Sequence, residues 1–337
     1  MRAFGPQPLQ PTEIDRHSGK SQNLLNSDKT KIIASKLKQK HWLIVIMGPT
    51  ASGKTDAAVA IAQHFNTEII SADSRQFFRE MNIGTAKPDA ATLSKIIHHF
   101  IGHLSIEQTY TAGKYEADAL AELDSLFKKH PIVVCAGGST LYLKALLDGT
   151  DTFPAVDEKT KIDVADIYFT KGLEGLQKLL EKLDPEYYNI VDKYNHRRII
   201  RALEVCLASG KPYSEFLTGQ QHERDFEAIK IGLDLPREEL YTRINHRCDE
   251  MLKAGLLDEV QALYPHRHLR ALHTVGYTEF FDYLDGKYSY EEVVILFKQH
   301  TRNYAKRQLT WFRKDKDIKW FAPRDVEGIV RYIESRI

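Results

Sequence analysis

The stretch IVIMGPTASGKTDAAVAIA, from Ile44 to Ala62, constrains the fold more than any other part of the chain. Four apolar residues lead into a loop bracketed by Gly48 and Gly53, followed by Lys54, Thr55 and an apolar-periodic segment. This is the G-x-x-x-x-G-K-[ST] pattern, and its context is right on both sides: a strand before, a helix after. Backbone N–H groups, a lysine and a helix N-terminus then surround a phosphate chain. Gly48, Pro49, Thr50, Ala51, Ser52, Gly53, Lys54 and Thr55 are the candidate phosphate-binding residues, and the Thr55 hydroxyl can reach a magnesium ion. The pattern is commonly read as ATP-binding or nucleotide-binding, but by itself it does not say whose phosphates it holds.

Further short strand candidates are EIISA (68–72), HFIGHL (99–104), PIVVCA (131–136), AIKIGLDL (228–235) and IKWF (318–321). Helical patterns lie between most of them, which predicts an α/β fold: a parallel P-loop sheet core covered by helices. Between 153 and 226 the strand signal disappears. GLEGLQKLLEKLD and NHRRIIRALEVCLASGKP read as amphipathic helices, the second with Asn195 as N-cap and Gly210 then Pro212 as its stop. The expected organisation is a polar, mobile arm over 1–40, the first part of the core over 41–152, an all-helical insertion over 153–226, and core completion with C-terminal helices over 227–337.

Composition excludes several classes. No apolar run is long enough for a membrane helix, and the first twenty residues lack the apolar stretch of a secretory signal. Cys135, Cys206 and Cys248 have no metal-ligand spacing, and an odd count argues against a disulfide framework, so a reducing, cytoplasmic setting is expected. The net charge is only +1, so a nucleic-acid surface must come from local clustering.

Asp73 follows the second strand candidate, at the sheet edge where ligands sit in open α/β folds. A carboxylate there can bind magnesium, accept a proton, or simply cap the Asp-Ser turn. VVCAGGSTLYLKAL repeats the strand, glycine, hydroxyl, helix order, with Ser139 at a helix N-terminus or in an ordinary turn. Arg197, Arg198 and Arg201 form a stripe away from the face of Ile199, Leu203 and Cys206. Such a stripe is either a solvated surface or a set of phosphate contacts. Lys298, Arg302 and Lys306 form a second stripe, which reads as a solvated face.

In chain order, GPTASGKT, SADSRQFF, MNIGTAKP, GGSTLYLKALL, RRIIRALEV, TVGYTEFFDYL and AKRQLTWFR resemble the tRNA dimethylallyltransferases, also called tRNA isopentenyltransferases. The resemblance runs from about 42 to 321. It implies transfer of a dimethylallyl group from dimethylallyl diphosphate to N6 of the adenine at tRNA position 37, with magnesium assistance and release of pyrophosphate. It also implies that the P-loop and Arg237 bind the diphosphate and that Asp73 is the base. Asp73, Ser74, Arg75 and Gln76 would contact the target nucleotide. Ser139 stands where most members have threonine and joins Asp73 in the catalytic set, and both it and Lys161 would touch tRNA. Lys161 stands where the family usually has arginine, so charge is kept but bidentate geometry is not. Arg197, Arg198, Ile199, Ile200 and Arg201 match a tRNA-contacting segment that would grip the anticodon stem-loop. No Cys or His pair for a zinc finger follows residue 300, which fits the bacterial type, and a monomer is expected.

Three competing readings remain open on the residues alone. A P-loop small-molecule kinase would use the same loop for ATP, but the DSRQ and GGS segments are not typical of one. A prenyltransferase of free adenine nucleotides should lack the helical insertion. A GTPase switch should carry N-K-x-D, which is absent.

Overall fold

In the computed structural model, which describes residues 40–219 and 221–337, six parallel strands form one sheet in the order β3-β2-β4-β1-β5-β6. They are β1 (Trp42–Met47), β2 (Ile69–Ser71), β3 (His98–His99), β4 (Ile132–Gly137), β5 (Glu227–Leu233) and β6 (Lys319–Phe321). Trp42 to Met47 pair in register with Ile132 to Gly137 on one side and with Glu227 to Gly232 on the other. The arm expected over 1–40 lies outside the described residues except for Lys40.

The apolar run of β1 follows from its double burial. Leu43, Val45 and Met47 face one core, and Ile44 and Ile46 face the other. The second core is closed by α1 (Lys54–His64), through Ala57, Ala58, Ile61 and Ala62, and by a terminal helix. The first core takes more helices. After the one-turn α2 (Ala90–Leu93) come α3 (Ala112–Leu126) and α4 (Thr140–Asp148), which contribute Tyr115, Leu123, Leu143 and Leu146.

The chain then leaves the sheet. α5 (Glu158–Leu183), α6 (Pro185–Ile190) and α7 (His196–Ser209) pack around Val164, Leu176, Leu180, Ile199, Ala202 and Leu203. α5 is really two helical segments, because Gly172 adopts φ 63, ψ −162 and interrupts the helix. α7 starts and stops where its sequence signals lie. The Asn195 side chain accepts the Arg198 N–H, and Gly210 closes the helix in the left-handed region at φ 70. β5 returns the chain to the sheet. There follow α8 (Arg237–Lys253), α9 (Leu256–Leu263), α10 (Thr278–Leu284), the long α11 (Tyr290–Phe312) and, after β6, α12 (Val326–Glu334), which is the terminal helix of the second core. Trp42–Ile337 form one compact unit.

One strand expectation fails. HFIGHL does not run as a strand over 99–104: the strand is only His98–His99, and its end is a backbone turn. Phe100 (φ 63) and Gly102 (φ 59) are both left-handed, which ends extended pairing. Leu104 rejoins only through an isolated bridge to Phe78. Cys135, Cys206 and Cys248 are free and buried.

Candidate active site

The phosphate loop leaves β1 at the carboxyl edge of the sheet. Gly48 must be glycine there, because a Cβ would stand 2.8 Å from the Leu233 carbonyl oxygen of β5. Ala51 (φ 62) and Gly53 (φ 88) take left-handed conformations that fold the loop over the start of α1. Lys54 Nζ donates to the Pro49 carbonyl oxygen at 2.7 Å. Burial lowers the Lys54 pKa to about 8; Asp73 pulls it up and Arg247 pushes it down.

Asp73 lies two residues past β2. Its Oδ1 accepts the Arg75 N–H at 3.1 Å, so the turn-capping role is present. The second carboxylate oxygen has no hydrogen bond among the described residues. Asp73 acts electrostatically on Lys54, Arg75, Arg247 and Tyr304 together, which makes it the anionic centre of a cationic site. Burial, with Asp73 adding to it, pushes the Tyr304 phenol well above its ordinary pKa.

These groups line a cavity of about 1140 Å³, above the ~300–1,000 Å³ of ordinary small-ligand sites and roomy enough for two substrates. One wall is the phosphate loop. Another is apolar, with Ile101, Ile244, Val275 and Phe297, and a third carries Gln76, Gly84 and Thr85.

The expected site residues lie in different surroundings. Ser139 is buried, and its hydroxyl is spent on Ser74: Oγ accepts the Ser74 N–H at 2.8 Å and donates to Ser74 Oγ at 3.0 Å. It therefore fixes the 73–76 segment rather than facing the cavity. Arg75 is half-buried, and its guanidinium donates to the Ala271 carbonyl at 2.8 Å. Gln76 Nε2 donates to the carbonyls of Thr85 (3.2 Å) and Ala86 (3.1 Å).

Arg237 is exposed at the first turn of α8, stacks 5.1 Å from the Tyr241 ring, and does not line the cavity. The arginines of α8 that do are Arg243 and Arg247, four apart and flanked in the lining by Ile244 and Cys248. Sequence motifs did not single them out; their i, i+4 spacing is the one signal the sequence carries for them. Gln308 of α11 likewise belongs to no phosphate motif. It is buried, its Oε1 accepts the Thr50 N–H at 2.8 Å, and its Nε2 donates to the Gly138 carbonyl at 2.8 Å.

In the helical unit, Arg197, Arg198 and Arg201 are exposed, but Arg201 pairs with Glu204 at 3.4 Å, so the stripe is not free of acids. Ile200 is half-buried. Ile199 is fully buried in the core of that unit, and its side chain is not available to a tRNA. Lys161 is exposed and pairs with Glu158 at 2.5 Å, outside the cavity. Lys298 of the second basic stripe is paired with Asp249 at 2.6 Å.

Among the described residues no group of three or more His, Cys, Asp or Glu side chains could hold a metal ion by itself. The oxygens of Thr55 and Asp73 suit magnesium, which keeps waters and takes most of its remaining ligands from substrate phosphates. Among the described residues no helix is long and apolar enough to cross a membrane.

A parallel sheet with a glycine loop, a half-buried lysine and a helix N-terminus at its carboxyl edge defines a P-loop protein, with a site of the kind that suits phosphate groups. Residues 76–315 match the family described as IPP transferase. The chain belongs to that family. It is 50% identical over 298 residues to the tRNA dimethylallyltransferase of Christiangramia forsetii, covering 88% of this chain and 99% of that one. It is 47% identical over 293 residues to tRNA dimethylallyltransferase 1 of Phocaeicola vulgatus, covering 87% and 98%. Among solved structures, it is similar to the full-length tRNA isopentenylpyrophosphate transferase of Bacillus halodurans (TM-score 0.65, 32% identity, 88% and 96% covered). It is also similar to a eukaryotic dimethylallyltransferase acting on tRNA (TM-score 0.70, 26% identity, 86% and 75% covered).

Proposed function

We propose that this protein transfers the dimethylallyl group of dimethylallyl diphosphate to N6 of the adenine at position 37 of tRNA. Family membership supports prenyl transfer to tRNA as the reaction. The observation that carries the assignment of roles is the cavity that Asp73 shares with Gln76 and with Lys54 and Arg247, the two cations whose charge it influences.

In this reading the diphosphate lies on the backbone N–H groups of residues 48–55, with Lys54, Arg247 and Arg243 around it. The apolar wall takes the five-carbon tail. Breaking the allylic C–O bond leaves its electron pair on pyrophosphate, and the cations stabilise that growing charge. The exocyclic amine forms the new N–C bond and must lose a proton. The second oxygen of Asp73 would take it, and the fixing of Oδ1 by the Arg75 N–H supports that reading. Thr55 would hold magnesium, which when bound supplies further neutralisation of the diphosphate. Arg197 and Arg198 offer phosphate contacts to the stem of the tRNA, whose anticodon loop has bases that can be splayed out. We further infer a cytoplasmic monomer with tRNA and dimethylallyl diphosphate as substrates.

The test is incubation with unmodified tRNA and labelled dimethylallyl diphosphate, followed by nucleoside analysis. Label in N6-(dimethylallyl)adenosine supports the proposal. ATP consumption with no need for a prenyl diphosphate would sink it in favour of a kinase, and label on free adenine nucleotides alone would favour the nucleotide prenyltransferase.

A further inference from the structure

Glu259, on α9, belongs to none of the sequence motifs described above, yet it is the most heavily engaged carboxylate near the cavity. Its Oε2 accepts the N–H groups of Asn82 (3.0 Å) and Ile83 (2.8 Å), and its Oε1 accepts the Gly84 N–H at 3.0 Å. The Tyr277 hydroxyl donates to Oε1 as well, at 2.6 Å. Three consecutive backbone donors converging on one side chain form an anion nest, with the protein supplying its own anion. Tyr277 is fully buried, and its ring packs so closely on Gly84 that a Cβ there would meet it at 2.6 Å.

The segment held this way is the third wall of the cavity. Gly84 and Thr85 line it directly. The next carbonyls, of Thr85 and Ala86, both accept from Gln76 Nε2, and Ala86 is left-handed at φ 47. Such a backbone strays easily unless its neighbours fix it. With the amide nitrogen of Gln76 engaged by two carbonyls, what Gln76 has left to offer a substrate is its carbonyl oxygen, an acceptor. An acceptor in that wall suits an N–H donor such as an exocyclic amine.

We propose that Glu259 is a positioning residue for the nucleobase side of the site. It anchors residues 82–84, the anchored loop presents the carbonyls of 85 and 86, and those carbonyls orient Gln76 as a hydrogen-bond acceptor in the cavity. The inference rests on the transfer reaction proposed above for the identity of the acceptor base. Its structural half, the tie from Glu259 to the loop, does not.

The experiment uses the full chain with unmodified tRNA and dimethylallyl diphosphate, and compares wild type with Glu259→Ala, Glu259→Gln, Gln76→Ala and the double variant Glu259→Ala/Gln76→Ala. Wild-type transfer is measured first; its absence overturns the reaction, not the loop tie. Where wild type is active, Glu259→Ala should lower kcat/KM for tRNA by about tenfold to a hundredfold while the Kd for dimethylallyl diphosphate stays within about twofold of wild type. Adding Gln76→Ala to Glu259→Ala should cost much less than Gln76→Ala costs alone, because both act through one group. Glu259→Gln keeps the size and one good acceptor, and should recover part of the loss. Hydrogen exchange at the amides of 82–86 should speed up in Glu259→Ala whether or not RNA is the substrate. Additive effects of the two substitutions, an equal loss of diphosphate binding, or unchanged amide exchange would each overturn the proposal. If Glu259→Ala does not fold, the same comparisons on Glu259→Gln decide it.

Discussion

Gln308 and Thr50 lie far apart in sequence, yet the Gln308 carbonyl accepts the Thr50 N–H at 2.8 Å inside the phosphate loop. The other end of the same amide holds the Gly138 carbonyl, so one buried side chain couples the loop after β1 to the loop after β4. Replacing Gln308 with leucine keeps the volume and leaves both backbone groups without partners. Each buried orphan costs about 1–3 kcal/mol, so the melting temperature should fall. Diphosphate affinity should fall with it by about tenfold, the equivalent of about 1.4 kcal/mol. A variant that melts earlier but binds dimethylallyl diphosphate as wild type does would show that Gln308 only fastens the fold.

Lys54 should make diphosphate binding proton-linked. Burial lowers its pKa to about 8 in the unliganded protein. A bound dianionic or trianionic phosphate favours the ammonium form and raises that pKa again. At about pH 9 the free side chain is mostly neutral and the bound one charged, so binding should take up a proton, whereas at about pH 6 it should take up none. Calorimetry in buffers of different ionisation enthalpy reads this directly. Lys54→Ala should bind the diphosphate more weakly and abolish the uptake; uptake that survives the substitution points to another group.

The two ends of α8 should behave differently. Arg247 shares the cavity with Lys54 and Asp73, and Arg237 does not line it. Arg247→Ala removes a charge-assisted contact of about 1.5–3 kcal/mol, so the Kd for dimethylallyl diphosphate should rise about tenfold to a hundredfold. Arg237→Ala should leave it within about twofold, as for an exposed surface change. The reverse order would support the role that the sequence resemblance gives to Arg237.

Asp73→Asn keeps the shape and the carbonyl that accepts the Arg75 N–H, but it cannot take a proton. Loss of a general base costs about 10²–10⁴-fold in rate. tRNA binding should stay within a few-fold of wild type, and excess magnesium should not restore turnover. Single-turnover rates across magnesium concentration decide between base and metal ligand: restoration identifies the ligand, and a near-wild-type rate leaves Asp73 with its turn alone.

Arg197 and Arg198 are exposed and Ile199 is not, which separates binding from folding within one helix. Replacing the two arginines with alanine should flatten the salt dependence of tRNA binding by up to about one unit of slope for each phosphate no longer neutralised. Diphosphate binding should not change. Ile199→Ala should instead cost about 2–5 kcal/mol of stability, seen as a lower denaturant midpoint. An unchanged salt slope in the double arginine variant would return those side chains to plain solvation.

Much of this site is legible in the sequence because its chemistry is local. The phosphate loop is written in consecutive glycines and a lysine, and the end of β2 announces Asp73 through an apolar run followed by a turn. The N-cap Asn195 and the stop at Gly210 are equally readable, since capping depends on a few neighbouring residues. What escapes depends on the packing of distant segments. Whether Arg237 or Arg247 faces the cavity is set by how α8 rotates against the sheet. Gln308 and Glu259 act on loops far away in sequence. The strand expected over 99–104 gives way to a left-handed Phe100, a residue type whose composition signals no turn. Ile199 differs from these. Periodicity alone puts it on the face opposite the arginines, where the structure buries it.

The position of β1 in the sheet has a consequence for how the chain is born. It is the first strand to leave the ribosome among those described, yet its permanent neighbours are β4 and β5, made after it. Until a strand that begins at Glu227 has been synthesised, Leu43 to Met47 have one edge that cannot be filled, and Gly48 has no Leu233 carbonyl to rest against. The helices from 158 to 209 close their own core from nearby residues and can condense meanwhile. A nascent or truncated chain ending before β5 therefore exposes an apolar strand with an open edge, the kind of surface that chaperones hold and that aggregates when they do not.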